Sequence, residues 1–258
     1  MKKFIKHFVL LIIITGYLIV ILGFVGKEDR KVTCNDIRII IHDSLDVQFI
    51  DSKTIRNVLL RGGNKLEGKP LHEVDLQEIE NKIRDIKYIK KAEVYRTVGG
   101  DLVADIEQRD PVVRIIDRSG QGFYIDEEGY IFPLSVNYSP YVLVVNGAIG
   151  ERYRRVSNIY DLDPENNILT DIMNMALFIR SDKFWDAQIV QLYVNGKGEF
   201  DLIPRVGAHI IEFGKAKDIE DKFEKLWILY NEGFYNTGWN CYDRISLKYK
   251  DQAICTKR

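Results

Sequence analysis

Hydrophobic and polar positions divide this chain into three regimes. From Phe8 to Gly26 the sequence reads FVLLIIITGYLIVILGFVG, about 19 residues without a charge. At a helical rise of 1.5 Å such a run reaches ~28 Å, close to the hydrocarbon thickness of a bilayer. About fourteen of these residues are Leu, Ile, Val or Phe. At roughly −0.4 kcal/mol each they give about −6 kcal/mol toward insertion. The pattern predicts a retained anchor at 8–26 rather than a cleaved signal peptide. The run is long for the latter, no small-x-small site follows in GKEDRKVTC, and Cys34 lies too far downstream for a lipoprotein anchor. A tail at 1–7 and a linker at 27–35 flank the span. Lys2, Lys3 and Lys6 precede it and Lys27, Arg30 and Lys31 follow it, so charge bias alone does not orient it. The short tail suits a cytoplasmic N-terminus with the main body exported.

Beyond the linker the period changes. Ile37, Ile39 and Ile41 alternate as in a strand. Asp51 or Ser52 can cap a helix bearing Ile55, Val58 and Leu59, stopped by Gly62-Gly63. Asp75, with Glu78 three residues on and a Val74–Ile79 staple, starts a second helix with the stripe Leu76, Ile79, Ile83, Ile86. KKAEVYRTV, a turn at Gly99-Gly100-Asp101 and LVADIEQ then make two strands. Residues 36–110 thus read β-α-α-β-β, with two helices on one face of a three-stranded sheet.

Residues 111–258 read mostly as strands: PVVRIID, GFYIDEEGYIF, YVLVVNG, AQIVQLYVN, EFDLIP and HIIEFG. Helical spacing appears at Ile168–Ile179, after Asp163-Pro164, and at Asp218–Tyr230, where Ile219, Phe223, Leu226, Trp227 and Tyr230 form the inward stripe. The last segment, DRISLKYKDQAICTKR, alternates. Ile245, Leu247 and Tyr249 are expected inward, and Arg244, Ser246, Lys248 and Lys250 outward. The fold class is therefore α+β: an N-terminal transmembrane helix, a β-α-α-β-β domain, then a mostly antiparallel β domain with flanking helices.

Composition narrows the function. The formal net charge is −1 and falls to about −4 without the three tail lysines, so no basic footprint points to nucleic acid. Three cysteines, Cys34, Cys241 and Cys255, make no disulfide scaffold. Cys241 and Cys255 could pair across the final hairpin or be buried as small hydrophobes. His7, His42, His72 and His209 have no metal-ligand spacing, and His42 and His72 are expected on the surface. Asn195-Gly196-Lys197-Gly198 is a hairpin turn rather than a phosphate loop. Asp126, Glu127 and Glu128 are expected to be solvated loop carboxylates. Neither an active site, a metal, a cofactor nor a small-molecule substrate is implied.

The ordered set of motifs resembles a known family. The 36–110 region resembles a POTRA domain, and specifically that of the bacterial cell-division family FtsQ/DivIB. Ile37-Arg38-Ile39, Ile50-Asp51-Ser52-Lys53-Thr54-Ile55 and Gly68-Lys69-Pro70-Leu71 with Val74-Asp75-Leu76 match its first strand and two helix entries. Tyr88-Ile89-Lys90-Lys91-Ala92-Glu93-Val94-Tyr95-Arg96 resembles its later strand, with Tyr88 in place of Trp and Lys87 in place of Pro, and Gln108-Arg109-Asp110-Pro111-Val112 resembles its exit. The ending resembles the family's R-I-D-L-R-Y-x-x-x-x-A-V motif, with Ser246 in the acidic position and Lys248 for arginine. The resemblance implies a non-enzymatic scaffold of the divisome, a single-pass protein of the inner membrane at the septum. Its implied partners are FtsB and FtsL, with which it would regulate septal peptidoglycan synthesis. It implies partner contacts at Arg244, Ser246, Leu247, Lys248, Tyr249, Ala253 and Ile254, working by strand addition, with Trp239 and Tyr242 as weaker candidates. Two other classes stand beside it: an envelope transport or outer-membrane assembly factor that carries a POTRA domain, and an anchored envelope enzyme.

Overall fold

The computed structural model describes residues 7, 10–20, 32–42, 48–61, 66–163, 167–234 and 238–258. Residues 10–20 are helical and exposed along their whole length, as an apolar run with no protein packed on it would be. Among the described residues no helix is long and apolar enough to cross a membrane. The rest of the predicted 8–26 span (positions 8, 9 and 21–26) lies outside the described residues, as do the Gly62-Gly63 stop and Pro164. The chain divides into two compact units, Met1–Gln108 and Arg109–Arg258.

In the first unit β1 (Ile37–His42), β2 (Ile89–Arg96) and β3 (Leu102–Gln108) form a sheet of order β1-β3-β2. β1 runs parallel to β3 and β2 antiparallel to it. A parallel neighbour needs a crossover, and α1 (Ser52–Leu60) and α2 (Leu76–Arg84) are placed in it. Asp51 caps α1, accepting from the Thr54 N–H at 2.8 Å, so Ser52 is helical rather than the cap. Asp75 caps α2 through the Glu78 N–H at 3.1 Å. The Glu78 carboxylate turns to Lys82 instead of closing a capping box. Ile55, Leu59, Ile79 and Ile83 pack on Ala92, Val94, Ala104 and Ile106, while Leu76 and Ile86 flank this core half-buried. Helix α2 also covers the outer edge of β2, where the Glu80 carboxylate accepts from the Val94 N–H at 2.9 Å.

The second unit is a nine-stranded sheet. Its order is β12-β11-β10-β9-β8-β7-β4-β5-β6. The strands are β4 (Pro111–Ile116), β5 (Gly122–Asp126), β6 (Ile131–Pro133), β7 (Leu143–Gly147), β8 (Ile189–Val194), β9 (Phe200–Pro204), β10 (Ile210–Gly214), β11 (Tyr242–Ser246) and β12 (Ile254–Lys257). Antiparallel pairing predominates, but β4–β7, β7–β8 and β10–β11 are parallel. Two of these parallel joins explain the helices. The β7–β8 crossover contains α3 (Ile168–Ser181) and α4 (Lys183–Gln188), and the β10–β11 crossover contains α5 (Ile219–Ile228). Their apolar stripes, including Ile172, Met173, Ala176, Ile179, Phe223 and Leu226, share one core with Ile115, Ile125, Val145, Leu192, Leu202, Ile211, Phe213 and Ile245.

One turn recurs at four hairpins. Thr97, Asp117, Asp126 and Asn195 each accept the N–H of a glycine three residues on, and each donates its N–H to the carbonyl of the residue after that glycine. Gly100, Gly120, Gly129 and Gly198 have φ of +92°, +78°, +79° and +67°. A type I turn closed by a left-handed residue matches the twist of a hairpin, and glycine takes that conformation without a Cβ penalty. Gly147 is a different case. Its φ is +110°, and a Cβ there would land on the Val194 carbonyl across the β7–β8 pair.

Three expectations need correction here. Ala187 and Gln188 belong to α4 rather than to the β8 strand, because Asp182 caps a short helix by accepting from the Phe184 and Trp185 N–H groups. Trp227 is 45% exposed and not part of the inward stripe of α5. The alternation of the closing segment overruns its strand, since β11 ends at Ser246 and Asp251 takes φ +60° in the loop before β12.

Candidate functional site at the C-terminal edge

The element order makes β12 an outer edge of the nine-stranded sheet, and places β11 inside it between β10 and β12. Backbone polarity along both strands follows from two bonds. Leu247 N–H donates to the Glu212 carbonyl of β10 at 2.9 Å, and Arg258 N–H donates to the Cys241 carbonyl at 3.2 Å. Because strand residues alternate in the direction of their main-chain groups, Ile245 faces β10 and Arg244 and Ser246 face β12. On β12 itself Ile254 and Thr256 face inward. Cys255 and Lys257 therefore turn their N–H and C=O groups to the open side. Neither is among the residues expected to contact a partner, and the Lys250-Asp251-Gln252 break between two alternating runs is the signal that marks the hairpin.

The residues expected to contact a partner are gathered on this hairpin but differ in access. Ile245 and Leu247 are fully buried, and Ser246 is buried rather than outward. Tyr249, expected inward, is 51% exposed, and its carbonyl accepts from Lys225 Nζ at 2.9 Å. Ile254 is 43% exposed and Ala253 half-buried against the core. Arg244 pairs with Glu212 at 2.9 Å, and Lys248 with Glu199 at 3.0 Å. These cations offset a local excess of acid: Asp201 lies directly opposite Glu212. Burial, and then the charge of Glu212, raises the Asp201 carboxyl above the ordinary range. Lys248 also lays its stem over Gly214, where a Cβ would come within 3.1 Å of its Cγ.

Behind the hairpin lies an aromatic cluster. Trp239 meets Tyr230 and Phe234 at ring-centroid distances of 4.8 and 5.1 Å, and Tyr242 stacks on Phe234 at 5.7 Å. Both weaker candidates are thus half-buried packing residues. His209, 2% exposed, bonds the Tyr230 hydroxyl through Nε2 at 2.9 Å. Burial pushes its imidazole below the ordinary value; the Trp239 backbone works against this and the Arg258 charge with it. A depressed pKa means the unfolded ring takes its proton first as pH falls. The stability from neutral His209 is therefore complete above pH ~6.5 and drains away below it, by at most about 1.4 kcal/mol per pH unit. Melting curves at pH 7.5 and pH 5 should show a smaller difference for His209→Gln than for the native chain; equal differences would contradict this role.

The remaining chemistry is structural. Asp126 is not solvated: its side chain is 4% exposed, pairs with Arg109 at 2.6 Å and accepts from the Glu128 and Tyr130 N–H groups. Asp117 is its counterpart one hairpin earlier. Burial alone would raise its carboxyl, but bonds from Ser119, the Arg154 charge and the Gln121 N–H outweigh that and hold it below the ordinary range. His42 pairs with Asp105 at the surface at 2.8 Å. Cys255 is a free, half-buried thiol, so it forms no bond to Cys241; Cys241 is exposed, against the buried expectation. Among the described residues no group of three or more His, Cys, Asp or Glu could hold a metal ion.

Two family profiles match this chain. One, described as FtsQ/DivIB, C-terminal related, matches residues 110–256, and the other, a POTRA-like domain, matches 32–107. Two curated proteins named cell division protein FtsQ are similar to it: that of Rickettsia conorii at 32% identity over 192 residues, and that of Rickettsia felis at 29% over 192. Each alignment covers 72% of this chain and 63% of the relative. The chain therefore spans less than two thirds of the length of these relatives.

Proposed function

The chain belongs to the FtsQ/DivIB family, and we propose that it is a non-enzymatic scaffold of bacterial cell division whose exported C-terminal edge docks other division proteins. The reading places an anchor at 8–26 in the inner membrane, the N-terminus in the cytoplasm, and the two units outside it at the septum. The partners it assigns are the small single-pass proteins FtsB and FtsL, and the outcome is control of septal peptidoglycan synthesis. The observation that carries the docking step is the open side of β12. An unpaired strand edge offers N–H and C=O groups that an extended partner segment can complete.

Energetics limit what the backbone can do. Cys255 and Lys257 offer four main-chain groups, about 4 kcal/mol at a net ~1 kcal/mol per bond. Micromolar binding needs about 8 kcal/mol. Side chains must supply the rest, and the exposed Tyr249 and Ile254 flank the edge for that purpose. Arg244 and Lys248 are already paired within the chain, so they serve the partner only by exchanging Glu212 and Glu199 for its acids.

Proline tests the backbone directly. At Ser246 it would break the internal β11–β12 ladder, whereas at Lys257 it removes one outward N–H, the position where an edge tolerates proline. Lys257→Pro should fold as the native chain does and bind the exported FtsB–FtsL segment at least about fivefold more weakly, the loss of ~1 kcal/mol. Titration of the full chain reads this out. Native affinity in the proline variant would move the docking site off β12.

A further inference from the structure

We infer that a groove on the helical face of the second unit, remote from β11 and β12 in the chain, seats an arginine side chain of a partner protein. The groove encloses about 390 Å³ between the end of α3, α4 and α5. Its floor is aromatic. Phe223 meets Phe178 at 4.8 Å and Trp185 at 4.9 Å between ring centroids. Trp227 forms one wall, held edge-on by Phe184 at 5.0 Å, and is 45% exposed.

The rim is acidic. Asp182, Glu220 and Glu224 line the groove, and among the described residues no lysine or arginine does. Glu220 and Glu224 stand four apart on α5, so they share a face with Phe223 and Trp227. Among the described residues neither glutamate has an ion-pair partner. The cations of the same helix point elsewhere: Lys222 donates to the Lys215 carbonyl at 2.8 Å and Lys225 to the Tyr249 carbonyl at 2.9 Å. Asp182 caps α4 and retains acceptor capacity.

An apolar ligand would bury these carboxylates unpaired, and an anion would be repelled. A cation with flat, weakly hydrated faces satisfies both surfaces, stacking on the rings while its edge bonds the acids. Guanidinium has that shape and a fork of donors that suits carboxylates; an ammonium is a compact, strongly hydrated charge. The volume suits one or two side chains rather than a helix. The inference goes beyond strand addition at β12 and uses none of its residues.

The chain contains three tryptophans, Trp185, Trp227 and Trp239, of which the first two line the groove. Full-length protein labelled with 5-fluorotryptophan gives one fluorine resonance for each. Titration with the blocked tripeptide acetyl-Gly-Arg-Gly-amide, to about 10 mM, should move the Trp227 and Trp185 signals and leave Trp239 in place. The citrulline peptide, equal in shape but uncharged, should move none. Glu220→Gln combined with Glu224→Gln should keep the native spectrum and weaken the arginine peptide by at least about tenfold. Three results would overturn the inference: no movement with arginine, equal movement with citrulline, or native affinity in the double variant. A response to choline but not to the arginine peptide would also overturn it, and would point to a lipid headgroup instead.

Discussion

Ile83→Asp should unfold the first unit. Ile83 is fully buried on α2, in the core it shares with Ile55, Leu59, Ala92 and Ile106. Its neighbours in that core are apolar side chains, so an aspartate there would bury a carboxylate among them at a cost of several kcal/mol. A domain's whole stability is about 5–15 kcal/mol, and smaller domains lie at the low end. Each unit has its own hydrophobic core, and all three tryptophans lie beyond Arg109. The expected result is loss of amide protection across 32–108 with tryptophan emission unchanged. Native protection in that unit would mean that the inward face of α2 is wrongly assigned.

The second large effect is expected at Asp126. The pair it forms with Arg109 is nearly closed to solvent, with side-chain exposures of 4% and 14%, and Arg109 also lies over the Tyr130 ring at 4.3 Å. Removing one partner of such a pair costs about 3–5 kcal/mol, because the other is left charged and buried. Asp126→Ala should therefore lower the stability of the second unit by that amount in urea unfolding. Asp126→Asn keeps an acceptor for the Glu128 and Tyr130 N–H groups and should lose less. Equal, small losses from both would show that turn and ion pair are dispensable. A loss of function on alanine substitution here is therefore evidence for catalysis only in a variant whose fold is shown to be intact.

These two cases mark how far the sequence could be read. Periodicity was sufficient for α1, α2 and the strands of the first unit, because each buries one face and local caps at Asp51 and Asp75 fix the starts. It was insufficient where tertiary partners decide. Asp126 sits in a polar Asp-Glu-Glu run that reads as solvated, and its burial depends on Arg109, 17 residues away. Trp227 fits the helical stripe of α5 by spacing yet lies on the groove side. Alternation in DRISLKYK marked the strand that ends at Ser246, but not which main-chain groups its pairing with β12 leaves open. That pairing moves the open edge from Arg244 and Ser246 to Cys255 and Lys257. The strand character of the closing segment was therefore legible and its open side was not, since parity depends on which neighbour each N–H meets.

That parity is where the account can be tested most directly. Amide hydrogen exchange of the full chain, with and without the exported FtsB–FtsL segment, resolves the N–H groups of β12 one by one. In the free protein Cys255 and Lys257 should exchange quickly while Thr256, bonded to β11, exchanges slowly. On binding, Cys255 and Lys257 should become protected to the level of Thr256. Binding that protects other residues and leaves these two amides fast would contradict docking by strand addition at β12.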